Sequence, residues 1–402
     1  MSPQSLESTP GNPSCQSCGA QDVTVFYEMD SVPANSCILL NDQHEAQCYP
    51  RGKIQLGLCQ RCGFIGNLAF NVNMAQYTNA YEEQQSFSPR FNAFARDLAQ
   101  RLIVRHGLRN KTVLEIGCGK GDFLALLCEL GPNRGIGIDP TYIPGRQDGA
   151  APSNITFIQD FYSERYAHLA ADFVCCRHTL EHIFDTASFV RTVRNAVNTR
   201  PGTIVFFEVP DVLRVLQEPA FWDIYYEHCS YFSLGSLARL FRRCGFEVLD
   251  LALEYGGQYL LLEARPAENG PSGSHLELED TPEVLRDAVA RFQETCANAI
   301  RQWRRRIQVA RAEKKSIAIW GSGSKCVAFL ATLGIADDIA AVVDINPYRH
   351  GKYLPGTGKP IVPPTALKQI RPDLVIAMNP IYLQEIGTDL AAMDLHPELT
   401  SV

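Results

Sequence analysis

The stretch from Lys111 to Leu124 constrains the fold more than any other part of the chain. Val113 to Ile116 is a short apolar run that reads as a buried strand. Gly117, Gly119 and Gly121 follow at once, and Phe123, Leu124, Leu126, Leu127 and Leu130 then recur at helical spacing. Strand, glycine turn and helix in this order bring backbone close to a ligand, and the helix start offers unpaired N–H groups to an anion.

The spacing narrows the ligand. A dinucleotide fingerprint needs G-x-G-x-x-G, but residue 122 is Asp and the third glycine comes one position early. Glu115 stands two residues before the first glycine. This E-x-G-x-G-x-G form resembles motif I of class I S-adenosylmethionine (SAM) methyltransferases. SAM carries an amino-acid head and no pyrophosphate, which suits helix-end N–H groups beside acids. The bland alternative is a turn that only packs a strand on a helix. Later segments favour the first reading. Gly135 to Asp139 is a second apolar strand ending in an acid, about 20 residues after the first glycine, where such folds hold ribose hydroxyls. Ile155 to Asp160 is a third, followed by Phe161, at the adenine position of methyltransferases. Asp172 to His178 is a fourth and leads into Thr179-Leu-Glu-His-Ile183, which resembles the segment common after strand four of that superfamily. Thr203 to Val209 is a fifth. Glu115, Gly117, Gly119, Gly121, Asp139, Asp160, Phe161 and His178 are the expected cofactor-binding residues.

Cys15 and Cys18 form one C-x-x-C pair and Cys59 and Cys62 another, each followed by Gly. Paired knuckles aim four thiolates at one ion and close a tetrahedral zinc site without an open position, so a structural zinc is expected. The two pairs lie 40 residues apart, which leaves Cys37, Cys48 or His44 as a substitute ligand. The chain has 14 Cys in 402 residues, which suits metal ligands and core thiols rather than a disulfide framework.

Phe221 to Ser233 crowds six aromatics, a Glu and a His into thirteen residues after the fifth strand. Ligands of doubly wound sheets sit beyond the carboxyl ends of strands, so this segment falls beside the cofactor. His228 can act as a base near neutral pH, and the neighbouring Glu227 carboxylate would raise its basicity. Packing is the competing role for His228, as it is for Tyr77 and Tyr81 upstream. Ser88 and Pro89 read as the start of a helix. A long amphipathic helix is expected within Thr281 to Lys315, whose basic run at Arg301 and Arg304 to Arg306 reads as a solvated face. Ser316 to Lys325 opens a second strand, glycine turn and helix, and Ala340 to Asp344 is its next strand. Cys326 breaks the dinucleotide pattern there, which leaves Lys325 and its turn to hold a phosphorylated or nucleotide-linked substrate, or a purely structural repeat.

The order zinc knuckle, motif I, Y-x-E-H-x-S-Y-F-S, then G-x-G-x-K with V-V-D-x-N-P and P-G-T resembles the three-domain sugar C-methyltransferases, which act on nucleotide-linked deoxysugars in antibiotic pathways. The resemblance covers about residues 15 to 385. It implies SAM-dependent methylation of a carbon next to a ketone. His228 would be the base, and Tyr225 and Glu227 would place it or stabilise the enolate. It also implies substrate contacts from Tyr81, Tyr231 and Lys325. Tyr81 to Pro89 departs from the family's Y-x-Y/H-x-S-S-like segment, which faces the substrate.

The expected architecture is α/β. Residues 1–14 are disordered, and 15–75 form a small zinc-binding domain. A class I Rossmann-like core spans 76–265, a linker and long helix 266–315, and a Rossmann-like substrate-binding domain 316–402. The partner is a small molecule. A net charge of −7 gives no footprint for nucleic acid, and no apolar run reaches a membrane span. The start lacks a signal pattern, so a cytoplasmic monomer or homodimer is expected. The rival functions are O- or N-methylation with the same cofactor, and a non-catalytic zinc-containing scaffold.

Overall fold

The computed structural model describes residues 14–75, 77–146, 153–198, 200–268 and 274–402. The expected disorder of residues 1–14 falls, Ser14 apart, outside the described residues.

Three sheets carry the architecture. The central one has seven strands in the spatial order Phe246–Glu254, Tyr259–Pro266, Ile204–Pro210, Phe173–Arg177, Thr112–Ile116, Arg134–Ile138 and Ile155–Ile158. The last five run parallel, and Tyr259–Pro266 inserts antiparallel to both neighbours. Val113 pairs with both Gly135 and Phe173, so Thr112–Ile116 is an interior strand, buried on both faces. Its near-continuous apolar run follows from that position. The helices Pro89–His106, Asp122–Leu130 and Leu234–Arg243 cover the sheet. Ser88 caps the first of these, accepting from the Phe91 N–H, with Pro89 in its first turn. This is the expected α/β core of a class I methyltransferase.

The C-terminal sheet is parallel throughout, in the order Ile361–Val362, Ala341–Val343, Ile317–Trp320, Leu374–Ala377 and Glu398–Ser401. The N-terminal sheet is antiparallel: Val23–Pro33, Arg51–Cys59, Ile65–Asn67 and then Ser230–Tyr231. Its fourth strand comes from far along the chain. Ile65 pairs with Tyr231 and Gly66 with Ser230, so the segment carrying His228 is stitched to the cysteine-bearing sheet.

The long amphipathic helix spans Pro282–Ala312. Phe292 is fully buried and meets Phe26 of the N-terminal sheet edge-on at 6.2 Å. Trp303, further along the same helix, meets Phe329 of the C-terminal helix Ser324–Leu333 at 5.2 Å. One helix thus buries its apolar stripe against both flanking units. No helix among the described residues is long and apolar enough to cross a membrane.

Candidate active site and cysteine cluster

The loops at the carboxyl ends of the central strands, the Tyr77 to Ser88 segment, the Asp223 to Tyr231 segment and the C-terminal glycine turn close around one cavity of about 930 Å³. It is lined from one side by the Gly117 to Lys120 turn and from the other by Ser324, Lys325 and Arg349.

Gly117, Gly119 and Gly121 have φ of 69°, 53° and 87°, a region that side chains disfavour. Space is also short. A Cβ at Gly117 would overlap Thr179 Oγ1, and one at Gly119 would stand 2.6 Å from Glu83 Oε1. Asp139 follows the next strand with its carboxylate fixed by three donors: Gly119 N at 2.8 Å, Thr141 N at 2.6 Å and Thr141 Oγ1 at 2.7 Å. Glu115 is buried beneath the turn. Its Oε2 has no hydrogen-bond partner among the described residues, and burial pushes its carboxyl up to about 8. Asp160 lines the cavity, accepting from Phe161 N at 2.8 Å and Tyr166 Oη at 2.5 Å and pairing with Arg165. Phe161 beside it is 59% exposed.

These residues fit SAM. The glycine cradle leaves backbone bare for the amino-acid end, Asp139 is preorganised for ribose hydroxyls, and Phe161 with Asp160 offers an apolar face and an acceptor for adenine. His178 lines the cavity too, but its ring is committed elsewhere. Nε2 lies 2.7 Å from Glu208 Oε1 and Nδ1 3.6 Å from Glu181 Oε1. Burial opposes its charge, yet these two carboxylates outweigh burial and raise it to about 9. Arg177 completes the cluster at 2.8 Å from Glu208, whose carboxyl falls to about 2 because its two cations outweigh burial. His178 also sits at φ 48°, a left-handed conformation uncommon outside glycine.

The aromatic segment brings three expected residues to the opposite wall. His228 is 6% exposed, with its ring 4.1 Å from that of Tyr225, 4.8 Å from His182 and 6.2 Å from Tyr231. Burial, then the nearby His182, His178 and Lys325, hold its imidazole well below its ordinary pKa, so it is neutral. Tyr225 and Tyr231 line the cavity, and burial raises both phenols well above their usual range. Tyr81 lines it from the upstream segment and packs against Tyr77.

Glu227 departs from expectation. It does not line the cavity, and its fully buried carboxylate accepts from Asn35 Nδ2 at 3.1 Å, Ser36 N at 3.2 Å and Ser324 Oγ at 3.3 Å. It fastens the three units together rather than charging His228. Lys325 reaches the cavity wall but pairs with Asp223, which also takes Arg214 Nη2 at 2.5 Å.

His182 was not singled out by sequence. Its Nδ1 lies 2.8 Å from Tyr77 Oη and 3.0 Å from the Glu227 carbonyl. The usable signal was its place directly beyond the fourth strand. Glu82, also missed, is buried between Arg146, Asn346 Nδ2 at 2.9 Å and Arg349, the last through its carbonyl.

Beside the N-terminal sheet, ligand atoms of Cys15, Cys18, Cys59 and Cys62 lie within 4.8 Å of one another. Cys15 and Cys62 Sγ are 3.6 Å apart, as are Cys18 and Cys59. Four thiolates on a tetrahedral zinc, each at about 2.3 Å, would be separated by about 3.8 Å, so the donor set fits that ion. Cys37 lies instead beside Ser324 at 3.3 Å and Cys48 beside His44 at 3.7 Å, which removes the substitute ligands.

Comparison with known proteins agrees with this layout. Residues 87–251 match the methyltransferase domain family, and residues 274–395 match the C-methyltransferase C-terminal domain family. The C-methyltransferase NovU of Streptomyces niveus is 27% identical over 387 residues, covering 92% of this chain and 90% of that one. Among solved structures, the 1,6-didemethyltoxoflavin-N1-methyltransferase of Burkholderia thailandensis, bound to 1,6-didemethyltoxoflavin and S-adenosylhomocysteine (SAH), is 18% identical. It covers 43% of this chain and 79% of its own, with a TM-score of 0.33. A SAM-dependent methyltransferase of Mesorhizobium loti is 17% identical over 42% of this chain and 97% of its own, also at 0.33. With both domain families matched in order and a relative aligned nearly end to end, the chain is a SAM-dependent methyltransferase enzyme that is similar to the C-methyltransferases.

Proposed function

We propose that the protein methylates a carbon made acidic by an adjacent carbonyl, that His228 is the base, and that the acceptor is a nucleotide-linked keto-deoxysugar. The observation that carries this reading is a neutral, buried imidazole in the same cavity as the glycine turn. A neutral His is ready to accept a proton at physiological pH, and burial removes competing water. Bound SAM supplies an electrophilic methyl group on a sulfonium. His228 takes the proton from the acceptor carbon, and the imidazolium so formed stabilises the enolate beside it. Tyr77 and Tyr225 stay protonated because burial raises both phenols, so they serve as donors to the enolate oxygen. Positioning supplies much of the remaining acceleration.

The cavity extends past the cofactor turn to the C-terminal unit, where Lys325, Asn346 and Arg349 line it. Two cations and an amide suit the phosphates of a nucleotide-linked acceptor. A structural zinc on Cys15, Cys18, Cys59 and Cys62 completes the proposal.

The test is hydrogen exchange in deuterated water without SAM, on a nucleoside-diphosphate 4-keto-6-deoxysugar. Deuterium should enter the carbon beside the ketone with the wild-type enzyme and not with H228A. Methyl transfer by an enzyme that catalyses no exchange would point to an oxygen or nitrogen acceptor. Equal turnover of the free keto-sugar would overturn the nucleotide-linked assignment.

A further inference from the structure

We propose that Glu83 recognises the α-ammonium of the donor's amino-acid end and so sets the enzyme's preference for donors that carry an amine. This rests on the reading that the Gly117 to Gly121 turn holds that end. A helix start and glycine backbone supply N–H groups for the donor's carboxylate, but an ammonium needs an acceptor.

The acids around the turn differ in what they face. The Asp139 carboxylate is taken by three donors from its own loop and the glycine turn. Asp122 accepts from Gln84 Nε2 at 2.9 Å. Glu115 is only 3% exposed beneath the turn. Glu83 crosses over it. Its Oε1 comes within 2.6 Å of where a Cβ at Gly119 would stand, so the carboxylate rests against bare backbone that only glycine leaves open. A third of its side chain remains accessible, into the cavity it lines.

The segment is held there from both sides. Lys120 is buried and donates to the Tyr81 carbonyl at 2.9 Å, the Thr141 carbonyl at 3.0 Å and Thr141 Oγ1 at 3.2 Å. It reaches Glu83 Oε2 only at 3.4 Å, a share of one cation. The preceding residue, Glu82, is clasped by Arg146, Asn346 and Arg349. Burial pushes the Glu83 carboxyl up to about 7, against Lys120 and with Asp139 and Glu82 adding to the rise. A carboxylate that its surroundings leave under-compensated gains from an incoming cation.

Calorimetry tests this with SAH and its desamino analogue, S-adenosyl-4-thiobutanoate, which keeps the carboxylate and lacks the amine. Wild-type protein should bind SAH about 10- to 100-fold more tightly than the analogue, the range of a charge-assisted hydrogen bond. E83Q should lose most of that preference by weakening SAH alone, with the analogue changed by less than about twofold. E83D, which keeps the charge on a shorter arm, should retain part of it, and carries the test if E83Q is unstable. An unchanged preference in E83Q, or equal loss for both ligands, overturns the assignment. Failure of wild-type protein to bind either ligand would instead overturn the donor site itself.

Discussion

The Tyr77 hydroxyl oxygen lies 2.8 Å from Nδ1 of His182, and the Glu227 carbonyl oxygen lies 3.0 Å from the same nitrogen. A carbonyl only accepts, so Nδ1 carries the proton and shares it between the two oxygens. That leaves the Tyr77 hydroxyl hydrogen free to point into the cavity. Y77F removes this hydrogen and little else. It should lower kcat by about tenfold or more with KM for SAM unchanged, the size expected for one lost donor at a developing oxyanion. An unchanged kcat in steady-state assays would assign Tyr77 to packing.

The acid limb of the pH–rate profile should lie below the ordinary histidine range. Burial and the facing His182, His178 and Lys325 lower the His228 pKa, and the adjacent Glu227 carboxylate does not offset them because it is turned away. Activity should therefore stay level from about pH 8 down to about 6.5 and fall only below that. H228A should cost roughly a hundredfold or more in kcat. A limb centred above pH 7 would contradict a desolvated base.

Stability should fall on the alkaline side through His178. Its folded pKa of about 9 exceeds the unfolded value of about 6.5 because Glu208 and Glu181 outweigh burial. A raised pKa contributes stability fully present below about pH 6.5 and lost as pH rises through about 9. The loss should be on the order of 1–3 kcal/mol. Arg177 and the Tyr259 ring also face this cluster and do not titrate below about pH 9. Denaturant unfolding at pH 6, 7.5 and 9 checks it. H178N should flatten the slope, and an equal slope in both proteins would remove His178 as its source.

Cys59→Ser should lower the metal content from about one zinc per chain to near zero. It should also lower the melting temperature and kcat together, because the cysteine-bearing sheet holds the Ser230–Tyr231 strand beside His228. Elemental analysis with thermal unfolding and turnover is the measurement. A full zinc complement in the variant would disprove the four-thiolate site.

What could be read from the chain was what is local. Each C-x-x-C pair, the glycine turn and the apolar strand runs are short-range patterns, and the structure assembles them as their periods suggest. The failures involve partners far away in sequence. Glu227 and His228 are adjacent, but the chain turns there, with His228 N bonded to the Tyr225 carbonyl at 3.2 Å. Successive side chains therefore diverge, one into the cavity and the other toward Asn35 and Ser324. Lys325 lines the cavity already paired, and nothing nearby in sequence announces Asp223 as its mate. His182 was hidden for the converse reason: its partners, Tyr77 and the Glu227 backbone, become visible only once the sheet is folded.

The two-residue strand Ser230–Tyr231 makes the chemistry a collaboration between distant parts of one gene product. A truncated form beginning near Ser86 would lose Glu83 from the donor turn, and its His228 loop would lose the edge it hangs from. Any shorter ancestor or engineered minimal version would have needed a different brace for that loop. The cysteine knuckle thereby becomes part of what keeps this catalyst in working order.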